Sequence, residues 1–296
     1  MQLPVVQPGR PREGQSPIFQ KIGIVGLGLI GGSIALAARQ IWPASLVIAV
    51  DNKDVLETAM RLHVVDVAAD DRIILAEADL IVLAAPALQN IAVMNDLDEY
   101  VRQRAIVTDT TSTKRDIVAA ARRLPPQFTF VGGHPLGGAA KGGIEHARPD
   151  LFQGRPWLLT PEGDATGPAI EKLSAFVRAL GAEPRLLAPD AHDRLLALLS
   201  HLPQLTASAL MQVVGDAVGD RGLEFAGPGL ADTTRLASSP ADIWKDIAAT
   251  NADHIGPALD RLIEVLQDLR ADLTTGDRLT EVFSAATRWR EALNKT

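Results

Sequence analysis

The sequence contains no cysteine. A disulfide framework, a thiolate metal site and a cysteine nucleophile are excluded, and a reducing, cytoplasmic setting is expected. Basic charge is also in short supply: acidic residues outnumber basic ones, the net charge is −7, and no run of Lys and Arg builds a basic face. A nucleic-acid partner is therefore not expected. No stretch approaches the roughly 18 uncharged apolar residues of a membrane span, so no membrane partner is expected either. Residues 1–17 hold Pro4, Pro8, Gly9, Pro11, Gly14 and Pro17 among scattered apolar residues. They lack the continuous apolar core of about 7–15 residues that a secretory signal needs, and read as a disordered tail. What remains is 296 residues, 47% hydrophobic and 22% charged, the composition of a globular protein of about two domains.

From residue 18 to 188, short apolar runs alternate with helix-like segments. The runs 21–25, 46–50, 79–85, 105–108 and 128–131 read as buried strands, and 29–41 reads as a helix that stops before Pro43. The runs 157–160 and 184–187 are expected to extend the sheet, with a helix over about 166–180 between them. Such alternation implies a parallel sheet with right-handed crossovers. From residue 189 to 296 the periodicity is helical throughout, with helices from Arg194, over 255–273 and over 280–293. The expected fold class is α/β: a Rossmann-type doubly wound, mostly parallel sheet followed by an all-α C-terminal domain, with the site in the cleft between them.

Gly26-Leu27-Gly28-Leu29-Ile30-Gly31 follows a predicted strand and opens a predicted helix. Gly26 suits a tight turn, Gly28 a close approach of backbone to a pyrophosphate, and Gly31 close helix–strand packing. The helix N-terminus offers unpaired N–H groups to phosphates. Asp51 lies 20 residues beyond Gly31, at the end of the second strand. A carboxylate there accepts hydrogen bonds from ribose hydroxyls and repels a 2′-phosphate, which favours NAD over NADP, although Lys53 partly offsets the repulsion. Ala85, Pro86 and Thr110 are placed with these cofactor residues. The alternative for the glycine pattern is a tight turn without a ligand.

Four further stretches are polar where a plain core has no need of it: Thr108-Asp109-Thr110-Thr111-Ser112-Thr113-Lys114, Gly132-Gly133-His134-Pro135-Leu136-Gly137-Gly138, Ser200-His201-Leu202-Pro203 and Asp232-Thr233-Thr234-Arg235. The first two follow strands. The glycines of the second are expected to let backbone approach a ligand, the third interrupts a helical pattern, and the fourth lies in a Gly/Pro-marked connection. None has metal-ligand spacing, so no metal is expected.

With the glycine turn, the run through Leu159-Thr160-Pro161, His192-Asp193 and Trp244, these stretches resemble the prephenate/arogenate dehydrogenase family over nearly the whole chain from Ile18. The resemblance implies a homodimer built by the helical domain. It also implies oxidative decarboxylation of prephenate or arogenate, with hydride passing from C4 of a cyclohexadienol to NAD as C1 loses CO2. In that reading His134 is the general base, Ser112 orients the C4 hydroxyl, Arg235 clamps a substrate carboxylate, His201 contacts the substrate or the nicotinamide, and Lys141 contacts the substrate. Each has a structural alternative: a loop histidine for His134, an interdomain ion pair for Arg235, the N-cap of a helix from Thr113 for Ser112, a satisfied buried histidine for His201. Trp244 reads as core, and His63, His146 and His254 as surface or packing residues without partners.

The sequence departs from the family at Ala140, where many members carry a glutamate before the residue matching Lys141. That leaves an acidic role there in doubt and admits arogenate as a substrate. Seventeen residues before Ile18 are too few for a chorismate mutase segment, and feedback by tyrosine is expected, if anywhere, at the active site. Two other readings compete. One is a 3-hydroxy acid dehydrogenase of the same plan, although such enzymes use a lysine of the helical domain and only Lys245 and Lys295 are on offer here. The other is a non-catalytic NAD-binding sensor.

Overall fold

The computed structural model describes residues 16–138, 141–163 and 167–295. The expectations on residues 1–15 and on Ala140 lie outside them. The first unit runs β1 (Lys21–Val25), α1 (Leu29–Ile41), β2 (Leu46–Val50), α2 (Lys53–Arg61), β3 (Val67–Ala69), β4 (Leu80–Leu83), α3 (Ala87–Asn95), α4 (Leu97–Tyr100), β5 (Ala105–Asp109), α5 (Arg115–Ala121), β6 (Phe128–Pro135), β7 (Pro156–Thr160), α6 (Pro168–Ala179) and β8 (Glu183–Leu186). The strands form one sheet in the order β3-β2-β1-β4-β5-β6-β7-β8. The order reverses between β1 and β4, and such a switch point opens a crevice at the carboxyl ends of the strands.

Side chains alternate across the sheet, as a period of two demands. Ile22, Ile24, Leu80 and Val82 join one core, with Trp42, Trp157 and Phe176. Val25, Ile81, Leu83 and Val107 join the other, with Met94 and Ile117. Burial on both faces is why these strands read as continuous apolar runs.

Two features differ from the sequence reading. The short, partly exposed β3 carries too weak a pattern to be seen. And β7 runs antiparallel to β6, with β8 parallel to β7. Between β6 and β7 the described chain holds one helical turn, Ile144–His146, and the turns over 149–154, and an antiparallel return needs no crossover helix. Between β7 and β8, α6 supplies one.

The second unit holds α7 (Pro189–Leu196), α8 (Leu202–Leu223), α9 (Pro228–Thr233), α10 (Ala241–Thr250), α11 (Ala252–Ala271) and α12 (Asp277–Leu293). Where the pattern breaks at Ser200-His201, a π turn, Ala197–His201, joins α7 to α8. Pro203 has no N–H for the carbonyl of Leu199, so the ladder widens there; such turns recur at functional sites. The segment read as a connection at 232–235 is instead helical. It comprises α9, begun by Pro228, and one turn over Arg235–Ser238. Gln204 docks that turn on α8 by donating from Nε2 to the Leu236 carbonyl at 2.8 Å. Ala197, Ile247 and Ile255 are the buried centre of this unit, with Trp244 packed against them as the sequence suggested.

Candidate active site

The glycine turn joins β1 to α1. Gly26 has φ +96°, and a Cβ there meets the backbone of Ala84 and Ala85 within 2.9 Å. A Cβ on Gly31 falls 1.9 Å from the Gly26 carbonyl oxygen. Gly28 is different: a Cβ there meets nothing within 4 Å, so this backbone faces open space at the helix N-terminus. Leu27 and Leu29 are buried beneath it and Ile30 is half-buried. Asp51, at the end of β2, is tied to the turn. Its Oδ2 accepts the Leu27 N–H at 2.6 Å, and its Oδ1 accepts the Asn52 N–H at 2.7 Å. The neighbouring β4–α3 turn is pinned by Asn90, fully buried, which accepts from the Ala85 N–H and donates to the carbonyls of Leu83 and Ala85. Ala85 is half-buried, Pro86 is exposed, and Thr110 donates its N–H to the Leu83 carbonyl at 3.0 Å. A cradle open at Gly28, closed at Gly26 and Gly31 and flanked by a carboxylate fits a dinucleotide.

A second, buried polar network lies at the ends of β5 and β6. Asp109 accepts from the Thr111 N–H at 2.9 Å and the Gly133 N–H at 3.0 Å, and also holds the Thr111 hydroxyl and the Lys114 ammonium. Lys114, fully buried, donates also to Thr111 Oγ1 at 2.9 Å and the Gly133 carbonyl at 2.7 Å. The glycines before His134 thus serve the protein rather than a ligand: a Cβ on Gly133 falls 2.5 Å from the Asp109 carbonyl, and one on Gly132 lies 2.3 Å from Thr160 Oγ1.

His134, the penultimate residue of β6, is 8% exposed; His192 and Asp193 of α7, hydrogen-bonded to it in series, are fully buried. His134 Nδ1 is 2.8 Å from His192 Nε2, and His192 Nδ1 is 2.8 Å from Asp193 Oδ1. Asp193 also accepts the N–H groups of Lys114 at 2.7 Å and Arg115 at 2.9 Å. It therefore caps α5, whose N-terminal flank is Lys114. That corrects the reading of Ser112 as an N-cap: α5 begins at Arg115, and Ser112 stays half-buried in the turn before it. Arg115 pairs with Asp253 and reaches Asp190, tying the sheet unit to α7 and α11. Asn251 donates to the Asp193 carbonyl at 2.8 Å and to His201 Nδ1 at 3.2 Å. His201 Nε2 is buried without a partner among the described residues.

Burial pushes His134 well below the usual imidazole range, helped by His192, Lys114 and His201. Burial likewise lowers His192, against the pull of Asp193. His201 is lowered by burial to about 4. Burial alone would raise Asp193, but hydrogen bonds from His192 and from the backbone of Arg115 and Lys114 outweigh it and hold the carboxyl low. The three imidazoles are thus neutral at pH 7 and Asp193 is an anion.

His134 and His201 belong to this network and Ser112 borders it. Arg235 and Lys141 are exposed and stand outside it. His254, read as partnerless, lies 3.2 Å from Asp190. Sequence reasoning quoted Lys114 and His192-Asp193 without a role and missed Arg115 and Asn251. The available signal was a His-Asp pair one turn into a helix starting at Pro189.

A Rossmann turn and a buried imidazole pair at the same edge of one sheet, backed by a helical unit, define the class of two-domain nucleotide-dependent dehydrogenases. Two family models narrow this. "Prephenate dehydrogenase, nucleotide-binding domain" matches residues 34–185, and "Prephenate dehydrogenase, dimerization domain" matches residues 188–285. Prephenate dehydrogenase of Bacillus subtilis is 32% identical over 91% of this chain and 75% of its own length. Cyclohexadienyl dehydrogenase of Zymomonas mobilis is 32% identical over 93% of this chain and 97% of its own. The chain belongs to the prephenate dehydrogenase family. The structure of a prephenate dehydrogenase from A. aeolicus, in complex with hydroxyphenyl propionate and NAD+, superposes with a TM-score of 0.84 at 25% identity, covering 93% of this chain and 98% of that one. A 3-hydroxyisobutyrate dehydrogenase from Salmonella typhimurium reaches 0.56 at 16% identity over 84% of this chain and 94% of that one, and shares the fold alone.

Proposed function

We propose that the protein oxidatively decarboxylates prephenate, arogenate or both, with NAD as hydride acceptor, and works as a homodimer through its helical domain, residues 189–296. The observation that carries this reading is a neutral, slightly exposed His134 at the same carboxyl edge of the sheet as the open dinucleotide cradle. NAD, when bound, takes the hydride from C4 of the substrate. Gly28 and the first turn of α1 would hold its pyrophosphate, with Leu27, Leu29, Ile30, Ala85, Pro86 and Thr110 around the cradle. With the N–H groups of Leu27 and Asn52 and the Asn52 amide on its carboxylate, Asp51 keeps a lone pair on Oδ2 for a ribose hydroxyl and disfavours a 2′-phosphate.

His134 accepts the C4 hydroxyl proton as the C4–H bond breaks. The C1–carboxylate bond then breaks, the ring becomes aromatic, and the proton returns to the phenolic oxygen, so no net proton is released. Such a base is typically worth about 10²–10⁴-fold. Ser112 orients the hydroxyl. His201, with Nδ1 accepting from Asn251, presents a buried Nε2–H donor to the substrate. Arg235 and Lys141, both exposed, supply charge for the carboxylates. The large apolar surface of the helical domain supports the homodimer. The test is direct: the purified protein is offered prephenate and arogenate, each with NAD and with NADP, and reduced cofactor is followed. Turnover with NAD is expected; no turnover of either substrate with either cofactor overturns the proposal.

A further inference from the structure

We propose that His192, held by Asp193, is a positioning residue that fixes the tautomer of His134, placing its proton on Nδ1 and leaving Nε2 bare at the free end of the ring. The inference rests on the reading of His134 as the base and says how that base is prepared.

The direction of the chain of hydrogen bonds follows from its last member. Every other group on the Asp193 carboxylate is a donor: the N–H of Lys114, the N–H of Arg115 and, at 3.3 Å, Arg115 Nε. An ionised carboxylate has no proton to give. His192 Nδ1, 2.8 Å from Oδ1, must therefore donate. A neutral imidazole has one N–H, so His192 Nε2 is an acceptor. His134 Nδ1, 2.8 Å away, must then supply the proton. In the reverse arrangement the His192 Nδ1 lone pair would face the carboxylate. A cationic His192 would escape that clash, but it would be a fully buried charge with the Lys114 ammonium nearby. The titratable groups around the pair are Asp109 of β5, Lys114 of the β5–α5 turn, Asp193 of α7 and His201 of the π turn.

The orienting pair and the base come from different units. His134 lies at the carboxyl end of β6 in the sheet unit, whereas His192 and Asp193 sit on the first helix of the other. Arg115, clamped between Asp193 and Asp253, and Asn251, bonded to the Asp193 carbonyl, hold α7 in place. The base acquires its working tautomer only where the two units meet.

Two measurements test this. Long-range proton–nitrogen correlation spectra of the wild-type protein labelled with ¹⁵N-histidine should report His134 as the Nδ1–H tautomer at pH 7. An Nε2–H tautomer overturns the proposal, whether or not the enzyme turns over prephenate. Absent wild-type turnover instead overturns the function and leaves the tautomer result standing. Second, His192→Leu removes the acceptor, whereas the amide oxygen of His192→Gln restores one. His192→Leu should lose about 100-fold or more in kcat with KM and NAD affinity little changed, and His192→Gln should recover about 10-fold of that loss. Equal loss in both variants, or none in either, contradicts the assignment.

Discussion

In the sheet unit Ile22, Ile24, Leu27, Val47, Leu80 and Leu83 are sealed beneath α1, α3, α5 and α6, and two continuous cores fill both faces. The helical unit closes only a small centre of its own and leaves large apolar side chains outside: Leu199, Val213, Phe225, Leu273, Phe283 and Trp289 are each at least 64% exposed. Apolar surface on that scale marks an interaction face, and full burial of one such side chain is worth about 1.5–3 kcal/mol. The first unit closes its cores within one copy. The exposed face of the second is what the proposed dimer would cover, and its contribution to the site is the polar edge formed by α7, the π turn and Asn251.

The contrast can be broken most severely at the uncovered face. The double substitution Phe283→Asp and Trp289→Asp should convert a dimer to monomers in sedimentation. Ile73→Asp, an equally polar change at an exposed position of the sheet unit, should leave the assembly intact. A persistent dimer in the double variant would put the interface elsewhere.

A smaller effect is expected from Arg235→Ala. Losing a hydrogen bond to a charged group removes about 1.5–3 kcal/mol, or roughly 10–100-fold, from substrate binding. The expected signature is a raised KM with kcat nearly kept, because the carboxylate is present in ground and transition states alike. A normal KM would make this arginine structural.

Asp51→Ala tests the sheet unit. Because Asp51 also holds the Leu27 N–H, affinity for both cofactors should fall, so the informative number is their ratio. NAD preference over NADP should drop by about 10-fold, one hydrogen-bonded charge's worth. An unaltered ratio means that Asp51 shapes the turn without reading the ribose.

The mildest effect is on stability against pH. His134, His192 and His201 are held below their unfolded values, so below about pH 6.5 the unfolded chain binds protons that the folded chain resists. Their contribution is intact above that pH and is lost as pH falls toward about 4, the value for His201. Tm should decline across this window, by about 2–4 °C for each kcal/mol lost, and the His201→Asn variant should decline less steeply. Parallel curves for the two proteins would contradict the buried neutral imidazole.

How much of this was readable beforehand follows from how local each signal is. The glycine turn was legible because Gly26 and Gly31 are required by contacts within one strand–turn–helix unit, and α1 runs over 29–41 as its apolar pattern says. The antiparallel turn of β7 was hidden, since an apolar run carries no direction. The roles of Gly132 and Gly133 were misread because a close approach between two strands of the same sheet leaves the same glycines as a close approach to a ligand. The Asp193 cap on α5 was out of reach because the helix and its cap are 78 residues apart in the chain. His192 was visible as a residue but silent as a partner until the fold brought it to His134.

One measurement bears on the whole account: steady-state kinetics of His134→Asn with prephenate and NAD, together with the affinity of the variant for NAD. We predict a kcat lower by at least about 100-fold with cofactor binding kept, as expected when a proton acceptor is lost and the dinucleotide cradle is untouched. A variant that turns over at the wild-type rate would contradict it.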